Sequence, residues 1–222
     1  MNADNEATTR IELFWIPLGA GARVVRSCGR VFEAVSALWQ RRARCDLYHS
    51  ALTVTVPEGR FVIEMTPVLD DQGAQRGVVA TGPVGTRLAG RLRVFRYEIR
   101  RWRGGIIPDL SDAVGVISVS DDPSAARQLL DLVPTVPTPV WGRDQLAAGE
   151  MWNSNSVTAW LLACSGIDLD QIEPPVGGRA PGWGAGVEVA ARMRLGSLGA
   201  RRERQRSRTC TRTQKPPVLS LR

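Results

Sequence analysis

The chain has 222 residues, of which 43% are hydrophobic, and this length and composition suit one domain with a sizeable core. The formal net charge of +7 would suggest nucleic-acid binding, but residues 191–222 hold ten of the 29 basic side chains and one of the 22 acidic ones. The remaining residues carry 19 basic and 21 acidic side chains, which excludes a general basic bias outside the C-terminal tail.

From the sequence we expect no transmembrane segment, secretory leader or metal site. Its first apolar run is interrupted at Pro17, Gly19 and Gly21, whereas a bilayer span needs about 18–20 consecutive apolar residues. Residues 1–10 hold two acidic residues and one arginine, a poor match to the positively charged start of a secretory leader. The four cysteines have no C-x-x-C spacing and only one histidine accompanies them, so neither a zinc site nor a disulfide framework is indicated. We therefore expect a cytoplasmic protein without a cofactor or metal.

Apolar periodicity predicts an α+β domain over residues 11–190 with an antiparallel sheet at its centre. Six β-prone runs predict strands, and they lie in chain order at Ile11–Pro17, Leu47–Val56, Arg60–Thr66, Val78–Ala80, Leu92–Ile99 and Val116–Val119. Helices are predicted at Val31–Trp39, at Pro123–Leu132 behind the N-cap Asp122, and from about Trp152 onward. Residues 1–10 are expected to be flexible and the arginine-rich tail, residues 191–222, to be disordered.

His49, the only histidine of the chain, lies on the second predicted strand. If Thr55 pairs with Arg60 across the following turn, Glu64 of the third strand lies on the same sheet face as His49. The two are then diagonal neighbours, about 7–8 Å apart at the backbone and within reach of long side chains. A three-residue loop that pairs Val56 with Arg60 would put them on opposite faces.

The sequence Asn153-Ser154-Asn155-Ser156 opens the late apolar helix. A hydroxyl at a helix start, a strand histidine and a neighbouring carboxylate predict a catalytic triad, with Ser154 as nucleophile, His49 as general base and Glu64 orienting the imidazole. Serine before an apolar helix is also a standard N-cap, so Ser154 has a purely structural alternative, and Asn153 suits either task. Ser156 is a second candidate nucleophile, but at most one of the two serines can face the histidine.

Three stretches resemble the circularly permuted papain-like amidohydrolases of the NlpC type, the group that includes lecithin retinol acyltransferase-like proteins. His49-Ser50-Ala51-Leu52 and the following Gly59–Glu64 are similar to the family's histidine strand and hairpin. Asn153-Ser154 with Trp160-Leu161-Leu162 is similar to its Asn-Cys-led helix. The resemblance implies a papain-like permuted antiparallel sheet with the nucleophile helix late in the chain.

The resemblance implies a hydrolase or acyltransferase acting on an amide or ester bond of a small-molecule, peptide or lipid acyl substrate. Ser154 stands where the family carries cysteine, and a serine hydroxyl is far less acidic than a thiol. A helix dipole supplies only about 0.3–2 kcal/mol, so Ser154 could attack only if His49 removed its proton. The alternative is a catalytically silent papain-like binding module. Nucleic acid is a less favoured partner and is expected only through the tail.

Overall fold

The structure, a computed structural model, describes residues 9–18, 41, 43–68, 75–107 and 110–196. In these ranges the chain is an α+β protein, as the sequence predicts, with a mainly antiparallel sheet and three α-helices. The predicted helix at Val31–Trp39, nearly all of the predicted flexible N-terminus and residues 197–222 of the predicted tail lie outside the described residues.

Seven strands form the sheet. They are β1 (Arg10–Pro17), β2 (Asp46–Val56), β3 (Gly59–Pro67), β4 (Val78–Pro83), β5 (Arg96–Arg103), β6 (Gly115–Ser120) and β7 (Gly178–Arg179). The strand order is β4-β5-β3-β2-β1-β6, with all of these neighbours antiparallel, and β7 pairs in parallel with the start of β2. The predicted strand Leu92–Ile99 is wrong in its first half, because Ala89–Arg91 and Arg93–Phe95 form two 3-10 turns and the strand begins only at Arg96.

The helices are α1 (Pro123–Leu132), α2 (Ser154–Cys164) and α3 (residues 183–196). The predicted cap of α1 is confirmed, since the Asp122 carboxylate accepts the backbone N–H groups of Ser124 and Ala125. The predicted start of disorder at residue 191 is wrong, because α3 continues through residue 196. Three buried residues at helical spacing, Ala185, Val189 and Ala190, hold α3 against the domain.

The two sheet faces carry different layers. On one face, side chains of β2 such as Leu52 and Val54 pack with apolar residues of α1 and α2, and the fully buried Trp152 and Trp160 belong to this larger core. On the other face lies a smaller cluster, which consists of Phe14, Ile16, Ala51, Val62 and Ile107. Alternate residues of each central strand therefore belong to different environments.

Helices α2 and α3 approach each other closely at Gly186. A Cβ atom on Gly186 would collide with the carbonyl oxygen of Ser156 and would lie 2.9 Å from Cβ of Ala159. Both of these contacts are with α2, whose backbone and packed Cβ atoms cannot swing away as a long side chain would. Gly186 thus sets the distance between the two helices.

We predict that Gly186→Ala lowers the free energy of unfolding by about 1–3 kcal/mol, because overpacking outweighs the better helix propensity of alanine. Gly184→Ala is the matched control, since its added Cβ would lie an ordinary 3.5 Å from Cδ of Glu150. Urea denaturation of both variants measures the difference. Equal stability of the two variants would show that the helices can separate without cost.

Candidate functional site

The hairpin of β2 and β3 has the register that the sequence analysis requires for a shared His49 and Glu64 face. Thr55 pairs with Arg60, and Val56 pairs with Gly59 across a two-residue turn. His49 and Glu64 therefore belong to the same face of the sheet. The paired ladder between these strands ends at Leu52 and Ile63, so neither His49 nor Glu64 has a backbone partner on the other strand.

Glu64 turns toward β5 and binds an arginine. It is the cross-strand neighbour of Arg100, whose Nη1 donates to Oε1 of Glu64 at 2.7 Å. The Nε of Arg100 also donates to Oε1 of Glu98 at 2.6 Å, and Arg100 and Glu98 are 3% and 4% exposed. The Glu64 carboxylate is thus part of a buried ion network, because a buried guanidinium requires such partners. Its predicted task, orienting the imidazole of His49, is not supported by any hydrogen bond between the two among the described residues.

His49 lies on the same side of the sheet as the smaller apolar cluster. It pairs with Ile16 of β1, a member of that cluster, and it is half-buried. Burial lowers the pKa of His49 from 6.5 to about 4, so the imidazole is neutral at pH 7. Within the described part of the chain, no hydrogen bond joins His49 to another side chain.

The neighbouring residue on β2, Ser50, faces the other way and contacts α2. Its Oγ donates to Oδ1 of Asn155 at 2.9 Å, and Nδ2 of Asn155 donates to the carbonyl oxygen of Tyr48 at 2.9 Å. These bonds fix the N-terminus of α2 over residues 48–50 on the face opposite His49. Successive strand side chains point to opposite faces, so His49 projects from the face opposite Ser50 and the start of α2. Among the described residues, no hydrogen bond joins Ser154, His49 and Glu64 into the predicted triad, which stays a prediction.

The other polar residues of the Asn-Ser-Asn-Ser motif build the helix start. Asn153 is the N-cap, and its Oδ1 accepts the backbone N–H groups of Asn155 and Ser156. Ser156 completes a capping box, because its Oγ accepts the N–H of Asn153 at 3.1 Å. The structural alternative for Ser154, an N-cap, is wrong because Asn153 is the cap. Ser154 occupies the first helical position, is 7% exposed, and is the one residue of the four without a side-chain hydrogen bond in the described structure.

The same motif also binds the segment that leads into α3. Asn153 and Asn155 both donate through Nδ2 to the carbonyl oxygen of Pro181, at 2.8 and 2.9 Å. Ser156 donates to the carbonyl oxygen of Gly182 at 2.7 Å. Gly182 has φ +86°, and a Cβ atom there would lie 2.6 Å from Oδ1 of Asn153, so only glycine fits. The motif thus joins β2, α2 and α3, which is a structural task that the sequence analysis missed.

A groove lies beside the β4–β5 connection. Its volume is about 520 Å³, and its lining consists of Thr81, Gly82, Pro83, Arg87, Gly90, Arg96, Pro137, Thr138, Pro139, Gln145 and Leu146. This lining includes two arginines and no carboxylate. The sequence analysis did not select any of these residues as a site, although Arg96 belongs to the predicted strand Leu92–Ile99.

Local hydrogen bonds orient the polar groups of the groove. Nη2 of Arg96 donates to Oγ1 of Thr81 at 2.9 Å, which leaves its other guanidinium donors for a ligand. Oε1 of Gln145 accepts the N–H of Val140 at 2.9 Å, so the amide Nε2 is the end with donors to spare. The groove can therefore offer several N–H donors to an acceptor such as a phosphate or carboxylate oxygen.

The described residues contain no group of three or more His, Cys, Asp or Glu side chains that could hold a metal ion. None of the helices in the described ranges combines the length and the apolar character that crossing a bilayer requires. Comparisons with protein-family models, curated proteins and solved structures find no match for the chain. The resemblance to permuted papain-like amidohydrolases therefore stays a prediction that rests on sequence motifs.

Asn155→Ala should lower the free energy of unfolding by about 2–4 kcal/mol, because it removes the acceptor of the buried Ser50 hydroxyl, the side-chain donor to the Tyr48 carbonyl and one of the two donors to the Pro181 carbonyl. Ser154→Ala, one residue away, removes no hydrogen bond and should change stability by less than about 0.5–1 kcal/mol. Chemical denaturation of the pair tests this contrast. A Ser154→Ala variant as unstable as Asn155→Ala would show that the Ser154 hydroxyl has a structural partner.

His49 should make the protein less stable in mild acid. Its pKa in the folded state, about 4, lies below the unfolded value of 6.5, so the unfolded chain binds the proton more readily. The free energy of unfolding should therefore fall by about 3 kcal/mol as the pH drops from about 6.5 to 4, with no further loss from this group below that range. His49→Gln, which cannot titrate, should lack this component. Parallel stability curves of the two proteins over this pH range would contradict the burial of His49.

Proposed function

We propose that this chain is a catalytically silent binding module of papain-like type that takes a small organic anion in the groove beside the β4–β5 connection. The observation that supports the proposal is the position of His49 on the sheet face opposite Ser50, which contacts the start of α2, combined with a groove that has arginines and no carboxylate in its lining. A nucleophile needs its base within hydrogen-bond reach, whereas a binding site needs only complementary shape and charge.

The groove has the chemistry of an anion site. Arg87 and Arg96 supply two guanidinium groups, which bind phosphate and carboxylate groups through paired N–H donors. Gln145 and Thr138 add neutral hydrogen-bonding groups, and the prolines of the 137–139 segment give a stiff wall. The volume of about 520 Å³ is in the range of small-molecule sites. A phosphorylated or multiply carboxylated metabolite-sized ligand fits this description.

The papain-like part of the proposal rests on the order of the elements. A histidine strand, β2, is followed by the hairpin strand β3, and the late helix α2 packs on β2 through Asn155. These features agree with the order that the resemblance implies. The serine in place of cysteine agrees with loss of the chemistry in such a module.

A hydrolase or acyltransferase activity with Ser154 as nucleophile stays a prediction. It would require His49 to reach the face of the sheet that Ser50 occupies, since Ser50 now contacts the start of α2. It would also require the Glu64 carboxylate, which accepts from Arg100, to approach His49. A serine-directed phosphonate that labels the wild type and not Ser154→Ala would establish the nucleophile and contradict the silent module.

Inorganic phosphate is the probe for the proposed site. A ligand that binds only the folded state adds about 1.4 kcal/mol to the free energy of unfolding when its concentration is about ten times its Kd. For a chain of this size, that raises Tm by about 3–6 °C. Arg87→Gln should abolish most of this rise, because it removes one of the two guanidinium groups. Arg96→Lys should reduce it, since lysine keeps the charge but lacks the paired donors.

Arg44→Gln is the matched control, because Arg44 is an exposed arginine outside the groove. Phosphate also stabilises proteins by exclusion from their surface, and this general effect is common to all variants. Only the difference between Arg87→Gln and Arg44→Gln reports on the site. An identical phosphate-induced rise in these two variants would overturn the groove as an anion site.

A further inference from the structure

The connection between β4 and β5, residues 84–95, exposes an unusual set of large apolar side chains. Leu88, Leu92, Val94 and Phe95 are 69%, 60%, 73% and 44% exposed. The connection contains two 3-10 turns, Ala89–Arg91 and Arg93–Phe95, and neither turn has a buried residue. These four large apolar groups lie within residues 88–95, and exposed apolar groups concentrated in this way mark interaction sites.

This connection, called here the β4–β5 loop, is nevertheless held in a defined shape. The backbone N–H of Val84 donates to the carbonyl oxygen of Phe95 at its base, and further bonds of this type link Gly90 to Thr86 and Leu92 to Ala89. The loop therefore orders its own backbone without burying its apolar side chains. It also lies at an accessible place, because β4 is an edge strand of the sheet.

The loop is also strongly basic. Arg87, Arg91 and Arg93 lie within it and Arg96 follows directly, so arginines alternate with apolar residues. No aspartate or glutamate occurs between Arg76 and Glu98. Arg87, Arg91 and Arg96 are themselves exposed. The surface thus combines insertable apolar groups with fixed positive charge at the same location.

We propose that the β4–β5 loop docks the protein on an anionic lipid membrane surface. Aliphatic side chains such as Leu88, Leu92 and Val94 enter the boundary between headgroups and acyl chains, while the interleaved guanidinium groups bind lipid phosphates. A protein partner suits this pattern less well, because interface hot spots favour Trp, Tyr and Arg over Leu and Val, and three of the four exposed apolar groups here are Leu or Val. Nucleic acid would use the arginines, but it offers no apolar medium for the aliphatic groups.

This inference goes beyond the anion groove and depends on different side chains. The groove uses Arg87 and Arg96, whereas membrane docking depends chiefly on the apolar residues and on Arg91. Because the loop forms one side of the groove, docking would place the groove next to the membrane surface. The two proposals can still fail separately.

The experiment measures co-sedimentation of the full chain with vesicles of phosphatidylcholine alone and of phosphatidylcholine mixed with phosphatidylglycerol. At about 150 mM salt, the wild type should bind the mixed vesicles and bind the neutral ones much less. The triple variant Leu88→Ser, Leu92→Ser, Val94→Ser should bind the mixed vesicles about tenfold or more weakly, since it loses the inserted apolar area. Arg91→Gln alone should weaken binding about fivefold.

The matched control is the triple variant Ile106→Ser, Val114→Ser, Val176→Ser, which removes three other exposed apolar side chains of similar size. It should bind as the wild type does. The basic tail, residues 191–222, is present in every variant, so its electrostatic contribution cancels from the comparison. The phosphate-induced rise in Tm should survive in the loop variant, which keeps Arg87 and Arg96.

Three results would overturn the proposal. The first is equal vesicle binding by the loop variant and the matched control variant. The second is equal binding of the wild type to neutral and anionic vesicles. In the third, the wild type does not bind vesicles but self-associates with rising concentration or binds RNA, and the loop variant loses that association. The loop would then contact a protein or a nucleic acid.

Discussion

The alternation of side chains along β2 is the constraint on which the rest of the structure depends. Ser50 bonds to Asn155 and thereby holds the start of α2 on one face of the sheet. His49, the adjacent residue, must then project from the other face. A shift of one residue in the contact between β2 and α2 would exchange the two side chains and bring the imidazole to the helix. The chemistry of the chain therefore depends on a single step of register.

The polar motif at the start of α2 illustrates how one pattern serves catalysis in one setting and architecture in another. Asparagine and serine at a helix start are good hydrogen-bonding groups, and here three of the four side chains bind backbone groups of neighbouring segments. Buried polar groups of this kind specify position, because each has few alternatives once water is excluded. The remaining residue, Ser154, keeps a hydroxyl without such a role. A helix start built in this way fixes its own backbone firmly and leaves one side chain free to vary.

Most of the strands followed from the sequence because local patterns determine them, but of the pairing the sequence offered only the β2–β3 register, as one of two alternatives. The two-residue turn at Pro57 and Glu58 set the register of β2 and β3, and Asp122 capped α1 where the sequence predicted. The face on which α2 packs did not follow, since both faces of β2 carry buried residues and the apolar pattern does not rank them. Helix α3 was missed because its buried stripe consists of small residues in a glycine-rich stretch. Contacts between distant segments decided both outcomes.

The strand prediction is wrong over residues 92–95, the last part of the β4–β5 loop, for a related physical reason. Leu92, Val94 and Phe95 favour strands because such side chains pack well on a half-buried sheet, and a sequence cannot show whether that burial exists. Here the pairing with β4 closes at Val84 and Phe95, and the chain beyond folds into turns that leave the apolar groups in water. Exposed apolar area costs free energy in an isolated molecule. Folding alone does not explain why this loop exposes apolar side chains between arginines. A binding surface that supplies both an apolar layer and negative charge explains the combination better.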